Sequence, residues 1–195
     1  FGFRKGHSTV DAIYVIHNLI QHAFSINLRV PCAFIDLKKA FDSVNRNALW
    51  YKLFNLGIDG KILKMFKAMY NVVKSCVKHS NTYSDFFNMS VGLRQGQNNS
   101  PALFALFLED LELFLQDSVN CGISIFELCI MILCFADDLV IVGNSNEDLQ
   151  LSLNSLYQYC TLWGLEVNTA KTKIVVFRKR GPVLINEKWF YNLAE

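Results

Sequence analysis

Between Gln95 and Ala170 the chain has no lysine, arginine or histidine, while the same stretch carries ten Asp and Glu residues. The flanks are opposite in sign: residues 1–94 hold 13 Lys/Arg against five acids, and residues 171–195 hold six against two. An acidic centre between basic flanks suits a site that takes cations at its middle and polyanions around its rim. Long apolar runs are also missing. The stretch from Pro101 to Leu115 is interrupted by Glu109, Asp110 and Glu112, and the run at 128–136 is far shorter than a membrane span, so no membrane partner is expected. The start, Phe1-Gly2-Phe3-Arg4, has neither an initiator Met nor a signal peptide. A piece of a longer intracellular protein is expected, nuclear or cytoplasmic and not secreted. Six cysteines include no Cys-x-x-Cys pair, which argues against a zinc site or a disulfide framework and for free thiols in a reducing compartment. No internal repeat, low-complexity segment or motif for a small-molecule cofactor is present.

What the chain does have is core-forming material. Hydrophobic residues make up 52% of 195 residues, charged ones 18%, and there are 16 Phe, so an ordered domain with a thick aromatic core is expected. Ser8 or Thr9 caps a helix running to about Ser25, with Asp11 in its first turn. Val30 to Asp36 reads as a strand ending in a carboxylate. Arg46 to Leu56 reads as a helix stopped by Gly57, and Asp59 starts another through Tyr70. Residues 72–78 and 83–91 read as a strand pair about Ser80-Asn81. Ser100 as N-cap and Pro101 at the first helical position open a helix predicted to run to residue 116. Strands follow at 122–126 and 129–135, then Leu139 to Gly143, a helix over 147–163 closed by Gly164, a strand at 173–177, and one around Trp189-Phe190-Tyr191.

The organising stretch is Phe135-Ala136-Asp137-Asp138, between Cys129–Cys134 and Leu139–Gly143. Two short β-branched or aliphatic runs joined by a few residues make a hairpin. Adjacent carboxylates at its tip repel, and a polyvalent cation relieves that repulsion. An acidic surface turn is the ordinary alternative, since Asp is a common turn residue. The element order reduces to strand (30–36), helices, helix (100–116), hairpin (129–143), helix (147–163) and strand (173–177). This is a ferredoxin-like βαββαβ plan of the α+β class, an antiparallel sheet with helices on one face. In it, Asp36 and Asp137 come together.

Five motifs occur in order: Asp36-(x4)-Phe41-Asp42; Gln95-Gly96-(x3)-Ser100-Pro101; Phe135-Ala136-Asp137-Asp138; Gly164-Leu165-(x2)-Asn168-(x2)-Lys171-Thr172; and Arg178-Lys179. With the Gly2-Phe3-Arg4…Ser8-Thr9…Asp11 segment, this set resembles the reverse transcriptases of non-LTR (LINE-type) retrotransposons over about residues 1–180. The resemblance implies a right-hand polymerase palm with part of the fingers. Residues 1–29 and parts of 45–94 would be fingers and fingers–palm junction, 30–44 and 95–180 palm, and 181–195 the start of a connection to a thumb.

By the same resemblance, Asp36, Asp137 and Asp138 are the catalytic carboxylates. With the Leu37 carbonyl they would ligate two Mg²⁺ ions, for which Mn²⁺ can substitute. Phe41 would lie beneath the nucleotide sugar and exclude a 2′-hydroxyl, and Gln95 and Gly96 would line the nucleotide pocket. Lys171 would protonate pyrophosphate, with Lys173 as the alternative. Arg4, Arg178 and Lys179 would contact nucleic acid. The implied partners are an RNA template, a DNA primer and dNTPs. Gln97-Asn98-Asn99 departs from the Cys-Pro-Leu usual at this point of the family. The expected behaviour is RNA-directed DNA polymerisation, weak in this chain alone. The competing readings are a non-catalytic nucleic-acid-binding remnant of the same fold, or another two-metal palm enzyme such as an RNA-templated RNA polymerase or a nucleotidyl cyclase.

Overall fold

The computed structural model describes residues 2, 6–117, 122–125, 127–181 and 187–191. In chain order, α1 (Thr9–Ser25) precedes β1 (Val30–Asp36), α2 (Ala40–Ser43), α3 (Arg46–Asn55) and α4 (Gly60–Asn71). Four short strands follow: β2 (Lys74–Ser75), β3 (Lys78–His79), β4 (Thr82–Tyr83) and β5 (Phe87–Asn88). Then come α5 (Ser100–Phe107), α6 (Leu111–Gln116), β6 (Ile123–Ile125), β7 (Leu128–Ile130), β8 (Ile132–Phe135) and β9 (Asp138–Val142). The last two are α7 (Asn146–Trp163) and β10 (Lys173–Phe177). The chain divides into two compact units, one of residues 1–40 with 109–195 and the other of residues 41–108.

The first unit is built on a four-stranded sheet in the order β10-β1-β9-β8, antiparallel at every pairing. Numbering these strands by sequence gives fourth, first, third, second. Alternation along β1 sorts its side chains onto two faces. Val30 and Cys32, with Val142 opposite Cys32, meet Leu19 and Ala23 of α1 in one buried cluster. Ala33 and Ile35, opposite Ile141 and Leu139, are buried on the other face. There α7 packs on β1 and β9, and its Leu153 shares a cavity lining with Ile35. The expectation of helices on one face therefore needs correction: α7 takes one face, and α1 covers one end of the other. Beyond α1 that second face carries Phe34, Asp36 and, opposite Asp36, Asp138.

The helix ends follow capping chemistry. The Asp11 carboxylate accepts the Ser8 N–H at 2.6 Å, completing a capping box for α1. Ser145 accepts the Asp148 N–H at 3.1 Å at the start of α7, and Gly164 ends that helix at φ +73°. The single helix expected over 100–116 is two. Leu108 closes α5 by donating to both Phe104 and Ala105 carbonyls, and the Asp110 carboxylate is engaged by the Tyr159 hydroxyl at 2.6 Å. Ser100 is not the N-cap; Asn99 is. The Ser100 hydroxyl instead donates to the Arg94 carbonyl at 2.6 Å and lies 3.2 Å from the Tyr70 hydroxyl. The strand expected at 129–135 breaks at buried Met131, where the ladder passes from β6–β7 to β8–β9. No named strand forms at 189–191. Cys129 is disulfide-bonded, against the expectation of free thiols throughout; Cys32, Cys76, Cys134 and Cys160 form no disulfide.

The second unit is organised about Arg46, which is only 8% exposed. Its guanidinium donates to the carbonyls of Tyr70, Met89, Val91 and Gly92 at 2.8–3.3 Å and lies 5.1 Å from the Tyr70 ring centroid. One side chain thus fastens the end of α4 and the chain after β5 to α3. The Lys52 ammonium, likewise buried, donates to the Phe107 carbonyl at 2.8 Å. Phe41 stacks on buried Phe104 with ring centroids 4.7 Å apart.

Candidate active site

Strand β1 delivers Asp36 at its end because the four residues Val30–Ala33 are fully buried and fix its register between β9 and β10. The hairpin β8–β9 closes at Phe135 opposite Asp138, which leaves Ala136 and Asp137 as the turn. Ala136 adopts φ +58°, a left-handed conformation that costs a residue with a Cβ about 1–2 kcal/mol. Asp36 and Asp138 are register partners, and directly opposed residues of an antiparallel pair point to the same face. Asp36 and Asp138 therefore share one face at the end of the sheet, on the side α1 leaves open, with Asp137 next to them in the turn. Burial first, then the charges of Asp137 and Asp36, raise the Asp138 pKa above the ordinary carboxylate value.

A second layer holds Asp36 from the opposite side. The turn after α7 runs antiparallel to the end of β1: Lys38 N–H donates to the Glu166 carbonyl at 2.7 Å, and Asn168 N–H to the Asp36 carbonyl at 2.8 Å. The Lys38 ammonium also pairs with the Glu166 carboxylate. The Thr172 hydroxyl accepts the Asp36 N–H at 3.2 Å. Asn168 in turn accepts the N–H groups of Lys171 and Thr172, which places the Lys171 ammonium 3.9 Å from the Asp36 carboxylate with 71% of its side chain exposed. Lys173, the alternative to Lys171, is occupied by the Ala170 carbonyl at 3.0 Å. Between the two bonds from Lys38 and Asn168, Leu37 and Val167 form a bridge in which neither bonds the other. The Leu37 carbonyl is thereby directed away from Val167, toward the β9 side of the strand.

Among the described residues no group of three or more His, Cys, Asp or Glu side chains is gathered tightly enough to hold a metal by itself. The donor set still fits a hard divalent cation: carboxylate oxygens and a free-facing carbonyl, too few for a closed cage, as suits an ion that keeps waters and takes ligands from a substrate phosphate.

Phe41, Gln95 and Gly96 belong to the second unit. There the Gln95 amide donates to the Asp42 carboxylate at 3.0 Å. Gly96 has φ +80° with open space where a Cβ would lie, so its requirement is conformational. Arg178 is half-buried in the first unit, at the end of β10, and its charge acts on Glu187; Lys179 is exposed. Arg4 lies outside the described residues. Thr172 and Asn168 stand in a quoted motif, yet their bonds to the Asp36 backbone were not anticipated, because a motif fixes spacing and not which main-chain group a hydroxyl meets.

A central strand and a neighbouring hairpin thus bring carboxylates to one end of a four-stranded antiparallel sheet. The chain belongs to the reverse transcriptase (RNA-dependent DNA polymerase) family, whose model matches residues 1–189. Over 88% of its length it is 32% identical to "Probable RNA-directed DNA polymerase from transposon BS" of Drosophila melanogaster. Over 91% it is 24% identical to the RNA-directed DNA polymerase from mobile element jockey of Drosophila funebris. The chain spans about a fifth of the length of each (19%). Among solved structures, apo telomerase from Candida tropicalis lacking its C-terminal domain matches with TM-score 0.62 at 18% identity, over 87% of this chain and 35% of that one. Telomerase from Candida albicans, in complex with a fragment of telomeric RNA, matches with TM-score 0.63 at 17% identity, over 87% and 31%. The fold is a reverse transcriptase fold. No helix among the described residues is long and apolar enough to cross a membrane.

Proposed function

We propose that this chain is the palm and part of the fingers of a retrotransposon RNA-directed DNA polymerase, extending a DNA primer on an RNA template with dNTPs. The observation that carries the reading is the opposition of Asp36 and Asp138 across β1–β9, with Asp137 beside them at the hairpin tip. The fourth-first-third-second strand order supports the ferredoxin-like palm assignment. Asp36, Asp137 and Asp138, with the Leu37 carbonyl, would hold two Mg²⁺ ions, or Mn²⁺ in their place. When bound, the ions supply Lewis acidity at the attacking and leaving oxygens of phosphoryl transfer. The 171–172 turn keeps Asp36 in place and brings Lys171 to the same edge, where its ammonium can donate a proton to leaving pyrophosphate. Phe41 serves as the sugar-selecting ring, Gln95 and Gly96 border the nucleotide, and Arg178, Lys179 and Arg4 contact template–primer phosphates. A nucleus- or cytoplasm-resident protein is consistent with this role.

The test is Mg²⁺-dependent dNTP incorporation on a primed RNA template by the wild type beside Asp137→Asn. The expected result is incorporation by the wild type that the substitution abolishes. Equal incorporation by the two proteins would remove the carboxylate assignment. Preference for rNTPs over dNTPs would instead favour an RNA-templated RNA polymerase.

A further inference from the structure

Most glycines of this chain that take positive φ face open space, but Gly2 is different in kind. Its φ lies outside the left-handed region, so any residue could adopt its backbone conformation; what it lacks is room. A Cβ on Gly2 would stand 2.3 Å from the Ala136 nitrogen and 3.1 Å from the Ala136 Cα and the Phe135 carbonyl carbon. All three are main-chain atoms of the carboxylate hairpin, and main chain cannot swing aside as the far end of a side chain can. The Gly2 backbone therefore lies in direct contact with the turn that carries Asp137. That turn holds Ala136 at φ +58°, and such a conformation persists only where surrounding structure enforces it.

We propose that Gly2 is a positioning residue for the hairpin: the absence of its side chain lets its own main chain back the tip, holding Ala136 left-handed and fixing Asp137 and Asp138 beside Asp36. The inference rests on reading those carboxylates as a divalent-cation site. Any side chain at position 2 drives the tip away from the main chain of that residue and misaligns two of the three carboxylates. Loss of a group that orients metal ligands lowers metal affinity by roughly 10–100-fold.

The experiment is Mn²⁺ titration of the whole chain, read by the electron paramagnetic resonance of the free ion, without nucleotide or nucleic acid. Wild type is compared with Gly2→Ala, Gly6→Asn and Asp137→Asn, and thermal stability is recorded for each. Gly6 faces open space at φ +80°, and Asn tolerates that conformation, so Gly6→Asn should bind as wild type does. Gly2→Ala is expected to bind Mn²⁺ about tenfold or more weakly while still folding; a purely structural role would lower its melting temperature and leave the affinity of the folded protein unchanged. Wild-type affinity in folded Gly2→Ala overturns the proposal. If Gly2→Ala does not fold, deletion of residues 1–6 removes the backing without adding a clash, and undiminished affinity there overturns it equally. Identical binding by wild type and Asp137→Asn would instead remove the cation site on which the inference stands.

Discussion

Asp138→Asn keeps the shape of the hairpin and removes one of three neighbouring negative charges. Asp36 faces Asp138 directly across β1–β9, and Asp137 precedes it in the turn. Like charges directly opposed on a sheet destabilise by roughly 0.2–1 kcal/mol per pair, and solvent at this exposed position screens them toward the lower end. With the opposed Asp36 and the adjacent Asp137 together, removing the charge should gain about 0.5–1 kcal/mol, or roughly 1–4 °C in melting temperature for a chain of this size. The sign follows from the pKa. Burial and the two neighbours raise the folded pKa of Asp138, so the native state favours its protonated form. The repulsion is absent below the unfolded value of about 3.9 and develops as pH rises through the raised folded value. Melting curves in chelator should therefore show Asp138→Asn more stable than wild type near neutral pH and indistinguishable from it near pH 3, about a unit below the ordinary carboxylate value. Mg²⁺ should narrow the neutral-pH gap, since a ligand at ten times its Kd adds about 1.4 kcal/mol to the protein that binds it. A variant no more stable than wild type at neutral pH, or a gap that persists unchanged in acid, would refute the reasoning.

Three further predictions concern the supports of the site. Thr172→Val leaves the Asp36 N–H without its acceptor, costing about 1–3 kcal/mol, and should reduce primer extension with little change in template affinity measured by fluorescence anisotropy. Arg46→Met removes donors from four carbonyls and should cost roughly 3–5 kcal/mol in chemical denaturation, in the range for breaking a buried charged network. Phe41→Val should relax discrimination between dNTPs and rNTPs in single-nucleotide incorporation. It should also destabilise by about 1 kcal/mol or more through the lost stack on Phe104.

The parts of the fold that were legible in the sequence are those set by local chemistry. Ser8 with Asp11, Gly164 at the end of its helix, and the apolar run from Val30 into Asp36 each contain their own instruction, and the observed elements agree. Element order alone brought Asp36 to the hairpin tip, with Asp137 expected beside it; the residue opposite Asp36 is the next one, Asp138. Less visible was whatever depends on a partner distant in sequence. The break at Leu108–Asp110 follows from Tyr159 engaging the Asp110 carboxylate, 49 residues away. Ser100 leaves the capping position for a carbonyl in the preceding loop. Arg46 read as an ordinary helix-opening residue, because only the folded unit shows four carbonyls converging on it.

The division into two units bears on how the chain comes off the ribosome. The residues of the second unit, 41–108, are contiguous, whereas the first unit begins with α1 and β1 and is completed only by residues 109–195. β1 finds its ladder partners only when β9 and β10, about a hundred residues and more downstream, have emerged. Through that interval its buried Val30, Cys32 and Ala33 belong to a nascent strand with two unpaired edges, the kind of species that aggregates or recruits chaperones. The second unit can close as soon as Leu108 is out, since its Arg46 hub needs nothing beyond Gly92. The inserted unit is thus complete in sequence before the strands that close the sheet around Asp36.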